Sequence, residues 1–141
     1  MEWIQKYIEF WNNQDIEGLI SLFHAKQCQF IDIPFEGGVG AEYAIRMMPP
    51  EENAQMQLRF HIREGTKHVA RVLYYKKGAI SELNEKTRKL EWEYPTQLFS
   101  KIFIYELLEG VCVYLYEMET PKNWCIENDQ NPETRKVSDY F

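Results

Sequence analysis

The sequence lacks the residue patterns of a disulfide-stabilised or metal-binding protein. Its three cysteines, Cys28, Cys112 and Cys125, are an odd number, and no two of them have CxxC spacing. An odd count fits a reducing compartment better than a disulfide scaffold, and no zinc-ligand pattern is present. The three histidines lie on separate predicted elements. We therefore expect no bound metal.

Concentrated positive charge and long apolar runs are also missing. The net charge is -6, and basic groupings such as Arg59-x-x-x-Arg63 and Lys76-Lys77 are short. Nucleic acid is therefore not expected as a partner, because phosphate neutralisation needs concentrated positive charge. No apolar run approaches the length of a membrane span, and no signal peptide is recognisable, so a cytoplasmic location is expected. No glycine loop of the phosphate-binding type occurs, and we expect no cofactor.

Aromatic residues, by contrast, are abundant. The chain has 141 residues, 45% of them hydrophobic and 15% aromatic. This length predicts one domain that buries about two-thirds of the surface exposed by the unfolded chain. Large planar side chains are suited to lining a cavity, although they also serve as ordinary core residues in a small mixed fold.

The N-terminal third predicts three helices. A first helix at residues 2–11 and a second at 15–24 carry apolar stripes at helical spacing: Trp3, Ile4, Tyr7, Ile8 and Trp11, then Ile16, Leu19, Ile20 and Phe23. Asp15 is a natural N-cap for the second helix. A third helix at 41–48 ends at Pro49-Pro50, because proline cannot continue it.

The remainder of the chain alternates with the period of β-strands. Strands are predicted around residues 58–63, 69–75, 90–94, 98–107 and 111–119, and Pro95 marks an edge or a bulge. Helices followed by mostly antiparallel strands predict an α+β fold, in which a curved sheet wraps around segregated helices and leaves a cavity. The domain is expected to span 1–120, followed by a polar tail at 121–141.

Asp32 is the candidate chemical group. It lies in the extended run 30–35, sharing one strand face with Phe30 and Pro34 while apolar residues occupy the other face. Desolvation disfavours the charged form of a carboxylate, which suits a proton acceptor that works near neutral pH. The alternative is a structural role, in which Asp32 accepts backbone hydrogen bonds near Gly37-Gly38.

Several segments together resemble the nuclear transport factor 2-like superfamily, and within it the ketosteroid isomerase and SnoaL-type polyketide cyclase branch. The resemblance covers about 120 residues and is carried by residues 4–23, Asp32-x-Pro34, Gly40, residues 44–48 and the two strands around Gly110. It implies a cone-shaped sheet around three N-terminal helices, an apolar cavity and a homodimer formed through the outer face of the sheet.

The resemblance also implies roles for particular residues. Tyr7 falls where the isomerases place a phenol that donates a hydrogen bond to the developing enolate, and Asp32 falls near their general base, although Ile31 or Ile33 could occupy that position. Trp11 and Met48 fall on pocket-wall positions. A second acidic donor is expected around residues 100–102, where this chain has no carboxylate.

Three further ligand contacts are predicted from strand phase. Phe30 shares the face of Asp32, and Leu115 shares its face with Glu117 on the last strand. Glu117 either marks the point where this strand leaves the core or points into the cavity as the second acid. The predicted function is proton transfer on a small hydrophobic carbonyl compound by a cofactor-independent isomerase, cyclase or dehydratase. The alternative is a non-catalytic module for ligand binding or dimerisation.

Overall fold

The computed structural model describes residues 1–26, 28–31, 38–76, 98–120 and 136–139. Asp32 and the strand predicted at 90–94 lie outside these residues. Three helices are present, α1 (Trp3–Asn12), α2 (Ile16–Ser21) and α3 (Ala41–Met47). Six strands follow or intervene: β1 (Gln29–Ile31), β2 (Val39–Gly40), β3 (Ala54–Glu64), β4 (Lys67–Lys76), β5 (Leu98–Leu108) and β6 (Val111–Thr120).

The strands form one mixed sheet in the order β2-β1-β6-β5-β4-β3. Neighbouring strands are antiparallel except for β1 and β6, which run parallel. Helices α1 and α2 precede the short strands β1 and β2, and α3 follows them. The four long strands, β3 to β6, form the main body of the sheet. The α+β fold predicted from the sequence is confirmed.

Helix α2 begins as predicted but ends earlier than predicted. Asp15 caps α2, since its side chain accepts a hydrogen bond from the Gly18 backbone N–H at 2.9 Å. However, α2 ends at Ser21, earlier than predicted. The cause is a backbone contact with β6: the His24 N–H donates to the Cys112 carbonyl at 2.8 Å, and the Cys112 N–H donates to the Leu22 carbonyl at 2.9 Å. These bonds draw residues 22–24 toward the sheet and out of the helix.

The inner face of the sheet packs against α1. The Asn12 side chain joins the end of α1 to β3 by two hydrogen bonds with the Met56 backbone, at 2.7 and 3.0 Å. At the other end of α1, the Trp3 indole N–H donates to the Leu22 carbonyl at 2.9 Å. Two anchors at opposite ends fix the direction of α1 across the sheet, and this direction sets where Tyr7 and Trp11 lie.

A β-bulge in β3 changes which side chains face inward. The register shifts between Leu58 and Phe60, so Leu58 packs in the inner core while Phe60 packs on the outer face. A bulge inserts one extra residue and reverses the alternation beyond it. Strict alternation along the strand predicted at 58–63 would place Leu58, Phe60 and Ile62 on one face, and the structure instead separates Leu58 from the other two. Past the bulge, His61 lies on the inner side.

A short 3-10 helix (Val137–Asp139) lies on the outer face of the sheet. Val137 is buried there and packs in a cluster with Phe60, Val69, Ile102 and Ile104. Residues 136–139 of the predicted polar tail are therefore in contact with the domain. In the described part of the chain, no helix is long and apolar enough to cross a membrane.

Candidate functional site

A cavity of about 490 Å³ opens between the helices and the inner face of the sheet. Helix α1 contributes Tyr7 and Trp11, and the end of α3 with the following segment contributes Met47, Met48 and the two prolines. Phe30 lies in the wall contributed by β1, and the remaining sheet contributes Tyr74, Lys101 and Glu117. The cavity therefore lies where the helices and the sheet leave space between them.

Aromatic contacts fix the walls of the cavity. The Trp11 ring meets Tyr74 edge to face, with ring centroids 5.5 Å apart. Tyr7 stacks on Trp3 at 5.4 Å and meets Phe103 edge to face at 5.3 Å. Edge-to-face and offset arrangements are the favoured geometries for aromatic pairs. The ring of Tyr7 is thus held between these two aromatic neighbours while the residue also lines the cavity.

The cavity wall also carries charged side chains, among them Glu51 and the ion pair of Lys101 with Glu117. Lys101 Nζ donates a hydrogen bond to Glu117 Oε1 at 2.7 Å, and only 18% and 5% of the two side chains are exposed. Lys101 Nζ also lies 5.2 Å from the centroid of the Tyr74 ring, within cation–π distance. Glu117 is therefore buried in the cavity wall, and does not mark a solvated strand end.

The structure brings together most of the residues predicted to form the site. Tyr7, Trp11, Phe30, Met48 and Glu117 all line this cavity. Leu115 is fully buried in the core and is not part of the cavity wall. Asp32 follows β1 directly but lies outside the described residues, so its role as a proton acceptor stays a prediction.

Sequence reasoning missed Lys101. The signal that could have identified it is strand phase: Lys101 is two residues from Phe103 and four from Tyr105, so all three share the inner face of β5. Its partner could not be inferred in the same way. Glu117 lies directly opposite Phe103, one diagonal step from Lys101, and this depends on the register between β5 and β6.

A second polar group occupies the inner face away from the cavity, beneath Trp3. His61 Nε2 and His68 Nδ1 are 2.9 Å apart, within hydrogen-bonding distance, and the Tyr105 ring stacks on His68 at 4.9 Å. Burial, followed by the nearby His61 and Arg63, lowers the pKa of His68 to about 4. Burial also lowers the pKa of His61 and raises that of Tyr105. These groups are therefore neutral at pH 7.

The comparisons with known proteins concern the fold. No protein-family profile and no curated protein sequence matches the chain. Solved structures do match. A proposed ketosteroid isomerase from Kribbella flavida superposes with a TM-score of 0.60 at 11% identity, covering 84% of this chain and 76% of that protein. A nuclear transport factor 2-like protein of unknown function from Cytophaga hutchinsonii gives 0.58 at 13% identity, covering 86% and 89%.

The chain has the nuclear transport factor 2-like fold. A proposed polyketide cyclase from Sinorhizobium meliloti gives a TM-score of 0.57 at 10% identity and covers 84% of this chain and 93% of that protein. The resemblance read from the sequence is thus confirmed for the fold, including its similarity to ketosteroid isomerase-like and polyketide cyclase proteins. Because nuclear transport factor 2-like proteins with different activities share this shape, the function has to be argued from the site.

Proposed function

We propose that the chain binds a small hydrophobic carbonyl compound in the cavity and catalyses a proton transfer on it, as an isomerase, cyclase or dehydratase that needs no cofactor. The cavity itself supports this proposal. Its volume of about 490 Å³ falls within the range usual for small-ligand sites, and its wall combines aromatic surface with a few polar groups. The names of the Kribbella and Sinorhizobium proteins fit a ligand of this class.

Tyr7 and Asp32 are the proposed catalytic residues. Tyr7 lines the cavity and its ring is fixed by aromatic neighbours, which supports it as the hydrogen-bond donor to an oxyanion. Asp32 is the proposed general base because it follows directly on β1, whose Phe30 lines the same cavity. Trp11, Phe30 and Met48 are the proposed apolar contacts.

A homodimer through the outer sheet face is part of the proposal. At the centre of this face, Val69, Ile102 and Ile104 are already buried within the single chain, and Val137 packs on them. The dimer contact would therefore use the surface around this cluster. Size-exclusion chromatography with light scattering should give twice the chain mass, and a monomer at all concentrations would contradict the proposal.

Two measurements test the proposed function. First, the neutral dye Nile red should bind saturably and be displaced by small cyclic ketones. Second, the chain should accelerate deuterium exchange at the carbon next to the carbonyl of 2-tetralone in D2O. Asp32→Asn should lower this exchange rate by about 100-fold or more, since a general base is removed, while dye affinity stays unchanged.

Asp15→Asn is the matched control, because Asn caps a helix as well as Asp does and the exchange rate should not change. Dye binding without any exchange would support the non-catalytic binding module instead. An Asp32→Asn rate equal to that of the unchanged chain would rule out Asp32 as the base. Absence of dye uptake would contradict both functions.

A further inference from the structure

The ion pair of Lys101 and Glu117 is the most unusual feature of the cavity wall. Its Nζ–Oε1 distance is 2.7 Å, and the Lys101 ammonium is further held at 5.2 Å from the Tyr74 ring centroid. Two fixed contacts on different strands leave the charged group little freedom. The cation is thus positioned in the cavity before any ligand arrives.

Stability alone explains this pair poorly. Removing two charges from water costs several kcal/mol per ion, and apolar residues of similar volume often stabilise a protein equally well or better. The surrounding positions on the inner face are occupied by apolar side chains, those of Phe103, Val72 and Leu115. A charged pair at the cavity wall is therefore better explained by contact with a ligand.

The chemistry of the pair indicates the kind of ligand. Within the described residues, Lys101 is the cationic side chain in the cavity wall, and its partner Glu117 makes the pair neutral before a ligand binds. A neutral carbonyl compound can therefore approach Lys101 without meeting an uncompensated charge at that part of the wall. When negative charge then develops on the carbonyl oxygen, a cation fixed in a low-dielectric wall stabilises it more strongly than one in water.

We infer that Lys101 binds the carbonyl oxygen of the ligand and stabilises the oxyanion that forms there, and that Glu117 is a positioning residue that holds the ammonium. The inference rests on the proposed function and narrows its ligand class to compounds that form an enolate or a phenolate. In the proposed step, the C–H bond beside the carbonyl breaks and its proton goes to the base. The bonding electrons form the enolate, whose oxygen accepts a hydrogen bond from Nζ.

Enolate analogues of one shape but different charge test this inference. The probes are 6-cyano-2-naphthol, measured above the pH at which it ionises in solution, and its methyl ether, which cannot ionise. The folded chain should bind the naphtholate about 10- to 100-fold more tightly than the ether, the range expected of a hydrogen bond to a charged group. The absorption spectrum of the bound probe reports its ionised form.

Lys101→Met should remove the preference for the naphtholate and leave ether affinity within about threefold. Because this variant leaves Glu117 buried without its partner, the double variant Lys101→Met/Glu117→Leu provides a second, apolar cavity wall that is expected to fold. Lys101→Arg should retain most of the preference. Arg46→Met is the control, since Arg46 forms an exposed ion pair with Glu17 outside the cavity.

The outcomes separate the two proposals. Loss of the preference in both Lys101 variants, with retained ether binding, supports the inference. Equal binding of the two probes by the unchanged chain, or an undiminished preference in the double variant, overturns it while the ligand-binding function stands. Failure of both probes to bind would remove the proposed function, and the inference with it.

Discussion

The two ends of the inner sheet face both hold polar side chains, but these side chains differ in charge and in whether they line a cavity. At the cavity end, the sheet contributes the charged pair Lys101 and Glu117, which lines an opening. At the closed end, beneath Trp3, the polar side chains are His61, His68 and Tyr105, whose shifted pKa values keep them neutral. Burial alone therefore does not mark a chemical site, and the proposed site at Lys101 and Glu117 rests on charge that is retained beside a cavity.

The largest expected effect comes from breaking the charged pair. Lys101→Met should lower the free energy of unfolding by about 3–5 kcal/mol, because Glu117 would remain buried without its partner. Adding Glu117→Leu should recover most of this loss. Chemical denaturation of the single and double variants measures both changes.

The surface pair on α3 supplies the control for this experiment. Arg46 pairs with Glu42 at 3.1 Å while half exposed, so Arg46→Met should change the free energy of unfolding by less than about 1 kcal/mol. A Lys101→Met variant as stable as the Arg46→Met variant would show that the pair is not buried as described.

Substitutions of Tyr7 and Tyr105 should distinguish the cavity end from the closed end by their effect on the exchange rate. Tyr7→Phe should lower the exchange rate of 2-tetralone by about 100- to 1000-fold, the usual loss when one oxyanion donor is removed. Tyr105→Phe should leave this rate unchanged, since Tyr105 is fully buried under Trp3 and does not line the cavity. Equal rates in the two variants would remove Tyr7 from the catalytic site.

The closed end should respond to pH. In the folded chain the pKa of His68 is about 4, below its ordinary value of 6.5, so between these values the unfolded chain binds more protons. The free energy of unfolding should therefore be highest above pH 6.5 and fall by about 2–3 kcal/mol as the pH decreases to 4. Below pH 4 this contribution should fall no further.

His68→Phe tests the assignment of this pH dependence. The variant should lose most of the slope between pH 6.5 and 4, because the group whose proton affinity differs between the two states is gone. Denaturation curves at pH 4.5 and 7 measure it. If the unchanged chain and the variant show the same slope, other groups cause the acid sensitivity.

The smallest effect concerns a single hydroxyl. Among the described residues, the Tyr105 hydroxyl has no hydrogen-bond partner, although the side chain is fully buried. Tyr105→Phe should therefore raise the free energy of unfolding by about 1 kcal/mol, since an unsatisfied buried polar group is costly. A loss of stability on denaturation would indicate that the hydroxyl does have a partner.

The sequence predicts the fold better than it predicts either polar group. Helical stripes place α1 and α2, and Pro49-Pro50 ends α3. Asp15 caps α2, and Gly110, with φ of +83°, allows the turn between β5 and β6. These features depend on residues close in sequence. The contacts of Lys101 with Glu117 and of His61 with His68 depend instead on strand register.

Two β-bulges explain why the strand register cannot be predicted from the sequence. One bulge follows Leu58 and another follows Glu106, and each changes which residues meet across strands. A period-two pattern cannot show an inserted residue, because both faces of these strands carry apolar side chains. Lys101 was recognisable by its phase, but its ion pair was not.

The two N-terminal tryptophans provide the most direct test of the central claim that a ligand occupies the cavity end and not the closed end. Trp11 lines the cavity, whereas Trp3 is packed on Tyr105 at 4.7 Å. Titration with 2-tetralone should change the intrinsic fluorescence, and Trp11→Phe should remove most of that change while Trp3→Phe retains it. A saturable change that survives in Trp11→Phe and disappears in Trp3→Phe would contradict the account.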